Sequence, residues 1–215
     1  MIIGICGRSG SGKTTLANNI KELATRETVH LDIDKVGHEV LLIPQVKDEL
    51  VNTFGESILT NDYVDRKKLN KIVFASKEEM AKLTEITWKH MQIIINNFID
   101  ANKDKIVILD WQLLPLTQYF GMCDIKILLD VPYEVRKERT MKRDNITEEA
   151  FDLREKASTP LNPADFDYVL KDNSKEQIER VVKPLWQKYY IQEVSIQWQK
   201  DIWILLNKQV NYLMK

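Results

Sequence analysis

Residues 7–15 read Gly7-Arg8-Ser9-Gly10-Ser11-Gly12-Lys13-Thr14-Thr15. The pattern G-x-x-x-x-G-K-[ST] is a phosphate-binding loop when a strand precedes it and a helix follows it. Both flanks are present: Ile2–Cys6 predicts a short apolar strand, and Thr14–Ala24 predicts a helix with Leu16, Ile20 and Leu23 on one face. Successive amides of such a loop converge on phosphate oxygens at a helix amino terminus, an approach that side chains at Gly10 or Gly12 would obstruct. Lys13 adds a cation for the β and γ oxygens, and the Thr14 hydroxyl is a ligand for Mg²⁺. The candidate nucleotide-binding set is Gly7, Ser9, Gly10, Ser11, Gly12, Lys13, Thr14 and Thr15. The chain has only 7 glycines, so placing Gly4, Gly7, Gly10 and Gly12 in its first twelve positions is a local demand of the backbone. Gly4, in the strand, is expected to permit close helix packing.

Outward from the loop, Val29–Ile33, Lys105–Leu109 closed by Asp110, and Ile125–Val131 are strand-length runs rich in Val, Ile and Leu, and Tyr168–Leu170 is a weaker fifth. Such runs suit strands buried on both faces of a parallel sheet. Helical patterns lie between them: a capping box Ser76-Lys-Glu-Glu79 opens a segment to about Ala101, Pro132 precedes Tyr133–Arg143, Thr147 opens another helix, and Ser174-Lys-Glu-Gln177 starts a helical tail. The expected fold class is therefore α/β, with a five-stranded parallel sheet flanked by helices. The interval from Asp34 to Asp104 is too long for one crossover helix and predicts a helical subdomain at the carboxyl edge of the sheet, where ligands bind in open α/β sheets.

Composition narrows the partners. With 31 basic and 32 acidic residues among 215, the net charge of −1 gives no global attraction to nucleic acid or anionic membrane. No apolar stretch has bilayer length, and no leader pattern is visible. Two cysteines, Cys6 and Cys123, lack any disulfide or metal spacing, so a cytoplasmic location is expected.

Phosphate loops serve GTPases, motors and small-molecule kinases. Asp34-Lys-Val-Gly37 has the form DxxG, but no NKxD guanine motif follows, and no element typical of ATPase motors is present. A phosphotransferase using ATP and Mg²⁺ remains. Such an enzyme needs an acceptor-side carboxylate and cations over the transferring group. Asp32 and Asp34, read as the end of the second strand, project to one side by strand alternation, so that one can face the acceptor and the other support metal-bound water. Asp110 is a second candidate supporter of the metal. Arg136, Arg139 and Arg143 fall on one helical stripe, the pattern of a lid. His30, His38 and His90 show no metal spacing and are assigned to packing or surface, and Cys6 to packing under the loop. Trp186, Trp198 and Trp203 are expected to form a helical packing face, with homo-oligomerisation as a further use.

These motifs, in this order, resemble the dephospho-CoA kinase family. The carriers are Gly7–Thr15, Asp32-Ile-Asp34, Phe54-Gly-Glu-Ser-Ile-Leu59 with Asp65-Arg66 and Leu69–Phe74, Ile106–Asp110 with Leu113-Leu114, Arg139-Thr-Met-Lys-Arg143-Asp144, and Asp167-Tyr-Val169 with Asp172-Asn173. The resemblance implies a kinase fold with a lid and an acceptor-binding subdomain, acting on the ribose 3′-hydroxyl of dephospho-CoA. It makes Asp34 the catalytic carboxylate, Arg139 and Arg143 lid cations, and Asn173 a neighbour of the adenine of ATP. The implied organisation is a kinase domain over 1–187, an acceptor subdomain over about 35–104, a lid over about 136–163 and a helical extension over 188–215. Where the family carries an arginine after the aspartate pair, this chain has His38; Trp88-Lys89 replaces a His-Pro pair, and Gln112-Leu113-Leu114-Pro115-Leu116 replaces Pro-Leu-Leu-x-Glu. A kinase for a different hydroxyl acceptor, and a nucleotide-binding module without transfer activity, therefore stay open as alternatives.

Overall fold

The computed structural model describes residues 1–184 and Lys200. In chain order, β1 (Ile2–Cys6) runs through the loop into α1 (Lys13–Leu23) and returns as β2 (Thr28–Asp32). The inserted segment follows: α2 (Ile33–Glu39), α3 (Pro44–Phe54), a hairpin of β3 (Leu59–Thr60) and β4 (Tyr63–Val64), α4 (Arg66–Val73) and α5 (Lys77–Ala101). The rest comprises β5 (Ile106–Asp110), α6 (Gln118–Met122), β6 (Ile125–Leu129), α7 (Tyr133–Asp144), α8 (Glu148–Ala157) and β7 (Tyr168–Leu170), with a helix entered at 175.

The five main strands are parallel in the order β2-β5-β1-β6-β7. Alternation divides their side chains between two apolar layers. Ile3, Ile5, Ile106, Ile108, Ile125, Ile127 and Leu129 pack with Leu16, Ala17 and Ile20 of α1 and with Ile178, Val181 and Val182. Cys6, Val107, Leu109 and Leu128 pack on the other face with Val36, Met91, Ile95, Ile99 and Tyr119. All five residues of β5 are buried, as a strand covered on both faces requires.

The insertion has a core of its own, in which Val46, Leu50, Ile58, Leu69, Val73 and Ile86 cluster. It is mainly helical, as expected, but includes the β3–β4 hairpin. Asn61 and Asp62 make that turn at φ 50° and 64°, the left-handed conformation that these residue types tolerate best. The N-cap half of the capping box is present: Ser76 Oγ accepts from the Glu79 amide at 3.1 Å at the head of α5, while the Glu79 carboxylate pairs with Lys82.

One expectation about the sheet edge is corrected. β2 stops at Asp32, whose carboxylate accepts from the Lys35 amide at 3.1 Å and caps α2, so Asp34 lies in a first helical turn. The two aspartates share the mouth of the sheet, but strand alternation is not what aims them there. Gly4 is refined in the same way. A Cβ there would lie 2.8 Å from Cys123 Sγ and 2.9 Å from Leu114 Cδ2, so the neighbours admitted are a cysteine and a leucine of the turn after β5. Among the described residues no helix is long and apolar enough to cross a membrane. The assignments made for Trp186, Trp198 and Trp203 lie outside the described residues.

Candidate active site

The loop after β1 reaches α1 through left-handed Gly10 and Gly12, at φ 76° and 93°. A Cβ on Gly10 would collide with Thr140 Oγ1 and lie 2.5 Å from the Arg136 carbonyl oxygen. One on Gly12 would lie 2.5 Å from Asn173 Nδ2, and one on Gly7 2.8 Å from the Leu129 carbonyl oxygen. Beyond the room expected for phosphate, Gly10 and Gly12 make room for protein. Their missing side chains admit α7 and Asn173, which brace the loop.

Beneath the loop lies Asp110, 2% exposed. Thr14 Oγ1 donates to its Oδ2 at 3.0 Å, Lys13 Nζ is 4.0 Å from its Oδ1, and His30 Nε2 is 3.4 Å from Oδ2. A carboxylate so placed orients the Thr14 hydroxyl and steadies the Lys13 ammonium. Among the described residues, five buried side-chain polar atoms lack a hydrogen-bond partner, and four of them, Ser11 Oγ, His30 Nε2, Thr140 Oγ1 and Asn173 Oδ1, belong to the loop or to side chains that contact or underlie it. Buried polar groups are normally satisfied, so this concentration marks a site shaped for a polar ligand.

A cleft of about 790 Å³ opens over the loop, a volume suited to small-molecule binding. Gly12, Lys13, Thr14, Asp34 and Arg143 line it, with Phe74 and Leu113 at an apolar end. Asp34 is open to solvent on the cleft side. Protein crowds its other sides, and that desolvation pushes its carboxyl above the ordinary aspartate value against the attraction of Lys13. Asp32 and Asp110 push the same way, whereas a hydrogen bond from the Trp111 side chain favours the ionised form.

The three arginines of α7 divide their work. Arg136 is buried, with Nε donating to the Val131 carbonyl at 3.0 Å and both terminal nitrogens reaching Glu155 of α8 at 2.8 and 2.7 Å. Its charge is spent inside the protein, which removes it from the expected lid stripe. Arg8 of the loop pairs with the same Glu155 and so ties loop, α7 and α8 together. Arg139 Nη1 lies 3.4 Å from the Ser11 carbonyl oxygen, and Arg143 Nη2 3.5 Å from Ser9 Oγ, so both stand over the loop. Asp144 accepts from Arg143 at 2.7 Å and from Arg154 at 2.7 Å, which brings Arg154 to the cleft as a cation absent from the sequence expectations. Asn173 Nδ2 donates to the Gly12 carbonyl at 3.0 Å.

On the acceptor side, His38 and Trp88, which depart from the family pattern, each have partners. Trp88 stacks on Trp111 with centroids 5.8 Å apart and planes at 20°, and Tyr119 closes edge-on at 6.2 Å. Arg66 Nη2 lies 2.6 Å from His38 Nε2, which accepts as a neutral imidazole. Desolvation and the Arg66 charge both lower the His38 pKa, consistent with that role. No group of three or more metal-binding side chains occurs among the described residues. A single hydroxyl at Thr14, backed by Asp110, nonetheless suits Mg²⁺, which takes few protein ligands and keeps waters and phosphate oxygens.

Comparison with known proteins agrees with this geometry. The family model for dephospho-CoA kinase matches residues 1–177. A dephospho-CoA kinase of Aquifex aeolicus is 35% identical over 195 residues, covering 86% of this chain and 96% of that protein. One from Fusobacterium nucleatum is 32% identical over 177 residues, covering 81% and 90%. Among solved structures, TT1252 from Thermus thermophilus superposes with a TM-score of 0.75 at 25% identity, covering 87% of this chain and 97% of the other. With its phosphate loop, inserted subdomain and ATP-dependent phosphotransfer activity, the chain belongs to the dephospho-CoA kinase family.

Proposed function

We propose that the protein transfers the γ-phosphoryl group of ATP, with Mg²⁺, to the ribose 3′-hydroxyl of dephospho-CoA, giving CoA and ADP. The carrying observation is that Asp34 and Lys13 line one cleft with the phosphate loop, Phe74 of the inserted subdomain, and Arg143 and Arg154 of α7 and α8. In the transfer the acceptor oxygen bonds to the γ phosphorus, the bond from that phosphorus to the β,γ-bridging oxygen breaks, and ADP departs. Asp34 orients the hydroxyl and takes its proton. Lys13 and the loop amides stabilise charge on the phosphoryl oxygens, and Arg139 and Arg143 cover it from α7. Positioning and charge stabilisation supply the rate, since little covalent chemistry falls to the protein. Thr14 would hold Mg²⁺ with Asp110 behind it and Asp32 near its waters. When bound, the ion neutralises phosphate charge.

In this reading residues 1–187 form the kinase domain, about 35–104 the acceptor subdomain and about 136–163 the lid. The free, buried Cys6 and Cys123 suit a reducing cytoplasm. The indole stack and the His38–Arg66 pair favour, as a second reading, a related kinase for another hydroxyl acceptor. Lys13→Ala should abolish turnover while leaving the circular dichroism spectrum unchanged, and full activity in that variant removes both readings. A panel of acceptors assayed for ADP release separates them, because dephospho-CoA inert beside an active compound selects the second.

A further inference from the structure

We infer that His30 is a positioning residue for phosphoryl transfer, acting through Asp110 on Thr14 and Lys13; the inference rests on the proposed kinase reading. The sheet register places it there. β2 pairs with β5 so that His30 lies beside Ile108 and Asp32 beside Asp110, and alternation puts all four side chains on the α1 face. On that face Ile3, Ile5, Ile106 and Ile108 pack under α1, with Thr28 and Asp110 as its buried polar residues on β2 and β5. Packing alone asks for an aliphatic residue at position 30. An imidazole there burdens the layer with two polar nitrogens, and Nε2 is buried without a hydrogen-bond partner.

Nε2 has one carboxylate oxygen near it, Asp110 Oδ2 at 3.4 Å, the oxygen that already accepts from Thr14 at 3.0 Å, although the ring is not aligned for a hydrogen bond to it. Asp110 therefore has competing neighbours. Lys13 Nζ, 4.0 Å from Oδ1, pulls the carboxylate toward an ion pair that would hold the ammonium down on the loop floor. A donor beneath Oδ2 opposes that rotation. With a proton on Nε2, His30 pins Oδ2 under the Thr14 hydroxyl, so that the threonine lone pairs face the cleft and Lys13 stays available to phosphate. At 3.4 Å the missing element is alignment, and turning the imidazole so that its N–H faces Oδ2 completes the hydrogen bond.

The test is calorimetric titration with a non-hydrolysable ATP analogue, with and without Mg²⁺, on the intact protein. His30→Val should reduce the Mg²⁺-dependent gain in affinity by about 10- to 100-fold, the usual effect of removing a group that orients a metal-binding residue. Metal-free affinity, which reads the Lys13 arm alone, should fall by less than the Mg²⁺-dependent gain, and the acceptor KM should stay at its wild-type value. His30→Gln, which retains an N–H donor, should recover part of the gain. A wild-type gain in His30→Val, or an equal loss of metal-free nucleotide and acceptor affinity, overturns the inference. Should His30→Val fail to fold, His30→Met against His30→Gln reads the same difference at closer volume. If the wild-type protein transfers no phosphoryl group, the kinase reading fails, whereas the Mg²⁺-dependent gain still reports on His30.

Discussion

Replacing Glu155 with alanine leaves the Arg136 guanidinium, whose side chain is 7% exposed, without its counter-charge. Removing one partner of a buried ion pair costs about 3–5 kcal/mol. Two features place this case at the lower end. Arg136 keeps the Val131 carbonyl at 3.0 Å and the Ser9 carbonyl at 3.5 Å, and Arg8, the other partner of Glu155, is exposed enough to hydrate. A loss of about 3 kcal/mol follows, which for a chain of this size lowers Tm by roughly 6–12 °C. Denaturant melts followed by circular dichroism read it as a fall in midpoint at constant slope. Glu155 also brings a pH signature. Arg136, then Arg8, holds its carboxyl below the ordinary glutamate range, so its contribution is full above that range and is lost as pH falls through the depressed value. The gap between wild type and Glu155→Ala should close over that acidic interval. The double variant Arg136→Met/Glu155→Leu, which removes the stranded charge, should be more stable than Glu155→Leu alone. A Glu155→Ala protein within about 0.5 kcal/mol of wild type, the range of ordinary surface changes, refutes the argument, as does a double variant no better than the single.

Other consequences concern the cleft. Asp34 accepts a proton only when ionised, and its pKa is raised, so kcat should fall with decreasing pH along a limb that lies above the ordinary aspartate range. Asp34→Asn should lower kcat by about 10²- to 10⁴-fold and remove that limb, and a limb at or below the ordinary aspartate value contradicts the assignment. Gly10→Ala combines a left-handed φ of 76° with a Cβ 2.5 Å from the Arg136 carbonyl oxygen, so α7 must move off the loop. ATP-analogue affinity and thermal stability should drop together, by at least about 1–2 kcal/mol in stability, whereas wild-type values for both sink the bracing argument. Chelation of divalent ions should stop turnover, and readdition of Mg²⁺ should restore it; unaffected turnover contradicts the role given to Thr14.

What the residues disclosed in advance follows the range of the interactions. The strand, loop and helix of residues 2–23 are adjacent in the chain, and their periodicity and glycine spacing are local signals. Asp32 was harder, because a strand end and a helix cap can share one residue; the cue was Ile33 followed by Val36 and Val40, a helical spacing already begun. The hairpin turn at Asn61-Asp62 had a local signal too, but strands of two residues show no period. Arg136 could not be distinguished from Arg139 and Arg143 by spacing, because the carboxylate that takes its charge is 19 positions away on another helix. The same holds for Trp88 with Trp111, and for His30, whose significance depends on the register of a strand some 80 residues later.

The central claim is transfer to one particular oxygen, and phosphorus NMR of the intact protein with ATP, Mg²⁺ and dephospho-CoA observes that oxygen directly. The account predicts a new phosphomonoester resonance coupled to the ribose 3′ proton, appearing in step with ADP and absent with Lys13→Ala. ATP bound or consumed with no resonance at the 3′ position contradicts it.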